Sequence, residues 1–202
     1  MLGSSTSPYE PLAPSATISM KILVTGGFGV GKTTLVGSIS EITPLTTEAE
    51  MTQAGAGVDE GLELRPDKTT TTVAFDFGRI SIDEQIVLYL FGAPGQKRFH
   101  ALWERLCEGA VGAIVLVDTR DVEGSFAALD RVERAGLPYL VAHNPFGDEA
   151  ERWSLEEIRA SLDIDAGTPL LRCDARDPGQ VRTTLAELVA HRQRLLEQEP
   201  VG

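Results

Sequence analysis

The sequence predicts an α/β fold built on a doubly wound, mostly parallel sheet, and three observations lead there. Short apolar runs alternate with stretches of helical periodicity along most of the chain. The first run, Ile22-Leu23-Val24, leads directly into a glycine-rich turn followed by helix-forming sequence. The runs at 72–81 and 85–91 are separated by little more than Asp83-Glu84, which suits an antiparallel hairpin, so one strand opposes the others.

Taken in order, residues 1–18 are rich in Ser, Thr, Pro and Ala and carry few large apolar groups, so they read as a disordered tail before a folded domain at 19–198. A helix is expected at 33–40. Residues 43–70 lack sustained periodicity and hold Pro44, Gly55, Gly57, Gly61 and Pro66, which reads as a long polar loop of the functional or disordered kind. After the hairpin, the continuous apolar runs at 111–117, 137–142 and 170–173 read as buried parallel strands, making six strands in all. Helices are expected between them at 99–107, 122–134 and 155–162. A last helix at 179–196 aligns Val181, Leu185, Leu188 and Val189 on one face.

Charge and composition narrow the function classes. A net charge of -12 opposes a phosphate backbone, so nucleic acid is not an expected partner and proteins are. Cys107 and Cys173 are too few for a disulfide framework or a zinc site, and they read as ordinary thiols in a reducing compartment. No stretch approaches the roughly 18 apolar residues of a membrane span. The N-terminus also lacks the basic flank and apolar run of a signal peptide, so the protein is expected in the cytoplasm, and with Leu2 where myristoylation needs glycine any membrane recruitment is left to partners.

The segment Gly26-Gly27-Phe28-Gly29-Val30-Gly31-Lys32-Thr33 matches G-x-x-x-x-G-K-[ST] in full, at a strand-to-helix junction. Glycines let backbone N–H groups converge on a phosphate, Lys32 brings a point charge to the β and γ phosphates, and the Thr33 hydroxyl can meet Mg²⁺. The helix N-terminus, which continues through Thr34, adds its dipole to the same anion site. Such a loop alone does not choose between GTPase, ATPase and nucleotide kinase. An ATPase or kinase would call for a clear acid on the strand before residue 92 or an arginine-rich lid, and neither is seen.

With this loop, Thr72-Val-Ala-Phe-Asp-Phe77, Phe91-Gly-Ala-Pro-Gly-Gln-Lys-Arg-Phe99 and Cys173-Asp-Ala-Arg176, the chain resembles the small Ras-like P-loop GTPases over about residues 20–198. More narrowly, it is similar to the GTPases of actinobacterial conservon operons, distant relatives of the bacterial gliding-polarity GTPase. The resemblance implies bound GTP or GDP with Mg²⁺. It also implies Thr72 as a switch threonine on the cation, Gly95 as a γ-phosphate sensor and Gln96 as the residue that aligns water. Asn144, with Phe146 and Asp148 beside it, stands where the guanine motif N-K-x-D is expected. Ala175 and Arg176 stand where an alanine N–H meets the guanine oxygen and a long side chain covers the purine. The implied partners are a roadblock-fold protein, a small companion and a sensor-kinase-like membrane protein.

Two departures bear on function. Gly92 replaces the aspartate of D-x-x-G-Q, which puts Mg²⁺ affinity in question, and Asp118 is the substitute acid to weigh against a plain helix cap. Gly147 occupies the aspartate position of the base motif, with Asp148 one residue late and Pro145 in place of the lysine. Trp103 and Leu106, three apart, are either core or a partner face, and His100, His143 and His191 lack metal spacing. The reading is therefore a GTP-binding switch with slow hydrolysis, against the alternative of a pseudo-GTPase scaffold that hydrolyses little or nothing.

Overall fold

A computed structural model describes residue 15 and residues 18–43, 45–52, 70–93, 100–147 and 152–198. Apart from Ser15 and Ile18, the segment expected as a tail lies outside the described residues, and strand β1 already begins at Ile18. The elements run β1 (Ile18–Gly26), α1 (Lys32–Ile39), β2 (Leu45–Thr52), β3 (Thr70–Ser81), β4 (Ile86–Gly92), α2 (His100–Cys107), β5 (Ala110–Val117), α3 (Val122–Arg134), β6 (Tyr139–His143), α4 (Leu155–Ser161), β7 (Leu170–Arg172) and α5 (Pro178–Gln198).

One sheet takes all the strands in the order β2-β3-β4-β1-β5-β6-β7. The six strands expected from the sequence are all there, and β3 is the one that runs against the rest, antiparallel to both neighbours. A seventh, β2, lies at the edge, within the segment read as a loop. It pairs with β3 from Leu45↔Phe77 to Thr52↔Thr70. Its sequence, Leu-Thr-Thr-Glu-Ala-Glu-Met-Thr, is too polar to announce a buried strand, yet threonine-rich, glutamate-bearing sequence is what an edge strand tolerates.

Pleat alternation divides the core in two. Ile22 and Val24 of β1, Ile114 and Leu116 of β5, and Leu140 of β6 face Leu35, Val36 and Ile39 of α1 and Val181, Leu185 and Leu188 of α5. Leu23, Ala113, Val115, Val117 and Val141 face the other way, against Trp103 and Leu106 of α2, Leu129 and Val132 of α3, and Ile158 of α4. Burial on both faces is why β1, β5 and β6 read as unbroken apolar runs. Trp103 and Leu106 are thus core residues, and the Arg131 guanidinium lies 5.6 Å from the centre of the Trp103 indole. Among the described residues no helix is long and apolar enough to cross a membrane. Both cysteines are free, Cys173 buried and Cys107 partly so.

The parallel strands β1, β5, β6 and β7 all end at one edge of the sheet, so the loops at 27–31, 118–121, 144–147 and 173–177 gather there. In open α/β sheets this carboxyl edge is where ligands bind.

Candidate nucleotide site

The phosphate loop joins β1 to α1 with no slack. Gly31, at φ 102°, holds a backbone that side-chain-bearing residues rarely adopt, and a Cβ there would lie 2.6 Å from Asn144 Nδ2. Lys32, the first residue of α1, folds back over the loop and donates from Nζ to the carbonyls of Gly26 (3.1 Å) and Gly27 (2.6 Å). Burial pushes its pKa down to about 8, partly countered by the nearby Asp76 carboxylate. An ammonium held over the loop by two carbonyls is positioned to exchange them for phosphate oxygens. Val30 is buried beneath the loop, while Phe28 stands at its tip, 88 % exposed.

The Thr33 hydroxyl donates to Asp76 Oδ2 at 2.6 Å. Asp76 lies near the middle of β3, in register with Gly92 at the end of β4. A Cβ on Gly92 would come within 2.9 Å of Asp76 Cβ and 3.0 Å of its Oδ2, so the glycine leaves the space that the aspartate fills. The sequence alone gives Asp76 no part in the site beyond its place in the strand motif Thr72–Phe77. In the sequence it shows only as an acid interrupting the apolar run Val73-Ala-Phe-Asp-Phe77, which assigns it no role.

Asp118 is not the cap of α3. The cap of α3 is Asp121, whose carboxylate accepts the Gly124 N–H at 2.9 Å. Asp118 is buried and binds Arg120, taking its backbone N–H (2.8 Å), Nε (3.0 Å) and Nη2 (2.6 Å). Burial pushes the Asp118 pKa up, but the Arg120 hydrogen bonds outweigh it and hold the carboxyl below its usual range.

At the base end, Asn144 is 4 % exposed and acts as a brace. It donates from Nδ2 to the Val30 carbonyl (2.9 Å) and accepts the Ala175 N–H on Oδ1 (3.0 Å). The amide expected to meet a guanine oxygen is thus bound to Asn144 here. Arg176 is expected over the purine, but its guanidinium lies against Asp174, Nε to Oδ1 at 2.9 Å and Nη2 to Oδ2 at 2.8 Å. One face of Phe146 is covered by Arg120, whose Cζ lies 3.7 Å from the ring centre. Gly147 is exposed at φ 56°, and among the described residues, its chain neighbours aside, no heavy atom lies within 4 Å of where its Cβ would be.

Thr72 lies within β3 rather than before it, opposite Glu50, and roughly 14 Å along the strand from Asp76 at the usual rise. Gly95, Gln96 and Asp148 lie outside the described residues. His143 and His191 are buried, and burial pushes the pKa of each imidazole down.

A phosphate loop with its lysine and hydroxyl in place, at the carboxyl edge of a parallel sheet, describes a nucleotide-binding protein. The family described as conserved hypothetical ATP binding proteins matches residues 24–195 of this chain. With that match running from β1 through most of α5, the chain belongs to this family of P-loop nucleotide-binding proteins.

Proposed function

We propose that the protein is a GTP-dependent switch that hydrolyses its nucleotide slowly and changes protein partners with nucleotide state. The observation that carries the reading is the pairing of Lys32 over the loop carbonyls with a Thr33 hydroxyl presented at the start of α1. A nucleoside triphosphate offers the β and γ oxygens that Lys32 needs to replace two carbonyl bonds, and Thr33 is placed to help hold Mg²⁺. The cation, when bound, neutralises charge on those phosphates. Gln96 aligns the attacking water in this reading, and Gly95 senses the γ-phosphate. Thr72 reaches the cation only if the end of β3 leaves β2, which makes β2–β3 pairing the element that nucleotide state controls. The sequence-level likeness to conservon GTPases supports GTP and partners of the roadblock and sensor-kinase-like types. The absence of an arginine just before Thr72 supports a low intrinsic rate.

A second reading, ATP, has an observation of its own. The family description names ATP, and position 147 carries glycine where guanine recognition calls for a carboxylate. The two separate by titrating nucleotide-free protein, with Mg²⁺, against fluorescent GTP, GDP and ATP analogues. Guanine analogues binding at least tenfold tighter than adenine support GTP, and the reverse order establishes ATP. Binding without phosphate release over hours, with either base, leaves a scaffold that only holds nucleotide.

A further inference from the structure

The strand that ends at Gly92 offers the phosphate site no acid, and the site has one all the same. We propose that Asp76 of β3 supplies the carboxylate of the Mg²⁺ site, taking over across the β3–β4 ladder the place left by glycine at residue 92. The proposal rests on the nucleotide reading above.

Four observations carry it. Asp76 and Gly92 are directly paired, so exchanging which of them bears the acid moves a carboxylate by one strand spacing along the same part of the sheet. The two positions exclude each other sterically, because any Cβ at 92 would meet both Asp76 Cβ and Oδ2. Asp76 is joined at 2.6 Å to the hydroxyl that the phosphate loop offers to a cation. Among the described residues the other acids at this edge are engaged: Asp118 by Arg120, Asp121 by the amide it caps, Asp174 by Arg176, and Asp177 by the Gly179 N–H and the Gln180 side chain. Among the described residues no group of three or more His, Cys, Asp or Glu side chains can hold a metal alone. One hydroxyl and one carboxylate completed by phosphate oxygens and water is the mode in which Mg²⁺ is commonly held beside a nucleotide, so the cation should bind only with the nucleotide.

The test measures affinity for a fluorescent non-hydrolysable GTP analogue, and its ATP counterpart, in EDTA and in Mg²⁺. The proteins are wild type, Asp76→Asn and the transplant Asp76→Gly with Gly92→Asp. Wild type should bind at least tenfold tighter with Mg²⁺. Asp76→Asn should keep less than a threefold gain while binding in EDTA as well as wild type or better, since a carboxylate beside the phosphates has gone. The transplant should regain most of the Mg²⁺ effect, and Mn²⁺ resonance spectra should report one bound ion in wild type and transplant at concentrations where Asp76→Asn holds none. A full Mg²⁺ gain in Asp76→Asn overturns the proposal and leaves nucleotide binding intact. Loss of binding in EDTA by both variants makes Asp76 a structural prop and overturns it as well. Failure of wild type to bind either analogue in any buffer overturns the nucleotide reading and this proposal together.

Discussion

The phosphate end and the base end of the site are built from the same edge of the same sheet, but they use their polar groups differently. Lys32 and Thr33 hold groups that a ligand can replace with better partners: two loop carbonyls and one carboxylate. At the base end the polar groups satisfy one another inside the protein. Ala175 N–H is donated to Asn144, Arg176 lies on Asp174, and Arg120 is clamped by Asp118 while covering Phe146. A ligand entering there must compete with charge-assisted hydrogen bonds that already exist. The lesson is that the phosphates should dominate affinity, with the base adding selectivity on a smaller scale.

The largest expected effect comes from Lys32→Ala, which removes the charge from the phosphate end. Two charge-assisted bonds at roughly 1.5–3 kcal/mol each correspond to a loss of about 100-fold or more in triphosphate affinity, read by fluorescence titration. The fold should remain, as a circular dichroism melt can verify.

Next in size is Asn144→Ala, which strikes the brace between the two ends. It strands the buried Ala175 N–H and the Val30 carbonyl, an effect of about 1–3 kcal/mol on stability. For a domain of this size that is a fall in Tm of about 2–4 °C per kcal/mol. An unchanged Tm would mean that Asn144 braces nothing.

A sharper division of the two ends comes from Gly147→Asp, which returns the carboxylate to the base motif in a position that no described residue beyond its chain neighbours crowds. The left-handed backbone there costs a non-glycine residue about 1 kcal/mol in stability, with aspartate among the better tolerated. Guanine over adenine preference should rise about tenfold, the worth of one or two charged hydrogen bonds to the base. Preference that stays flat would show that the base does not reach this loop.

The mildest effect is on pH. Burial pushes the Lys32 pKa down to about 8 in the free protein, and phosphates that favour the ammonium raise it, so binding above pH 8 takes up a proton. Affinity should be level from pH 6 to 7.5 and then fall by up to about tenfold per unit as Lys32 loses its proton. Lys32→Ala should abolish that slope.

How much of this was legible in the sequence follows the same division. Strands buried on both faces announce themselves as apolar runs, and the phosphate loop is a contiguous motif whose spacing is its geometry, so both could be read in one dimension. The β2 strand was not, because an edge strand with one neighbour has no need of apolar alternation. Asp76 was invisible for a different reason. Its meaning lies in a register that pairs it with Gly92, and nothing local to residues 70–81 says which residue of the next strand lies opposite. Asn144 matched a motif, yet its two partners come from residues 114 and 31 positions away. The helix expected at 122–134 begins where α3 does, so its cap falls on the residue just before it, Asp121, and Asp118 lies three residues too early to reach the first-turn amides.

The central claim, that phosphates rather than base carry the binding, is tested most directly by a competition ladder of GTP, GDP, GMP and ATP against one fluorescent triphosphate with Mg²⁺. Removing the β and γ phosphates from GTP should cost more affinity than exchanging guanine for adenine. GMP competing as well as GTP, or a base exchange costing more than the loss of both phosphates, would contradict the account.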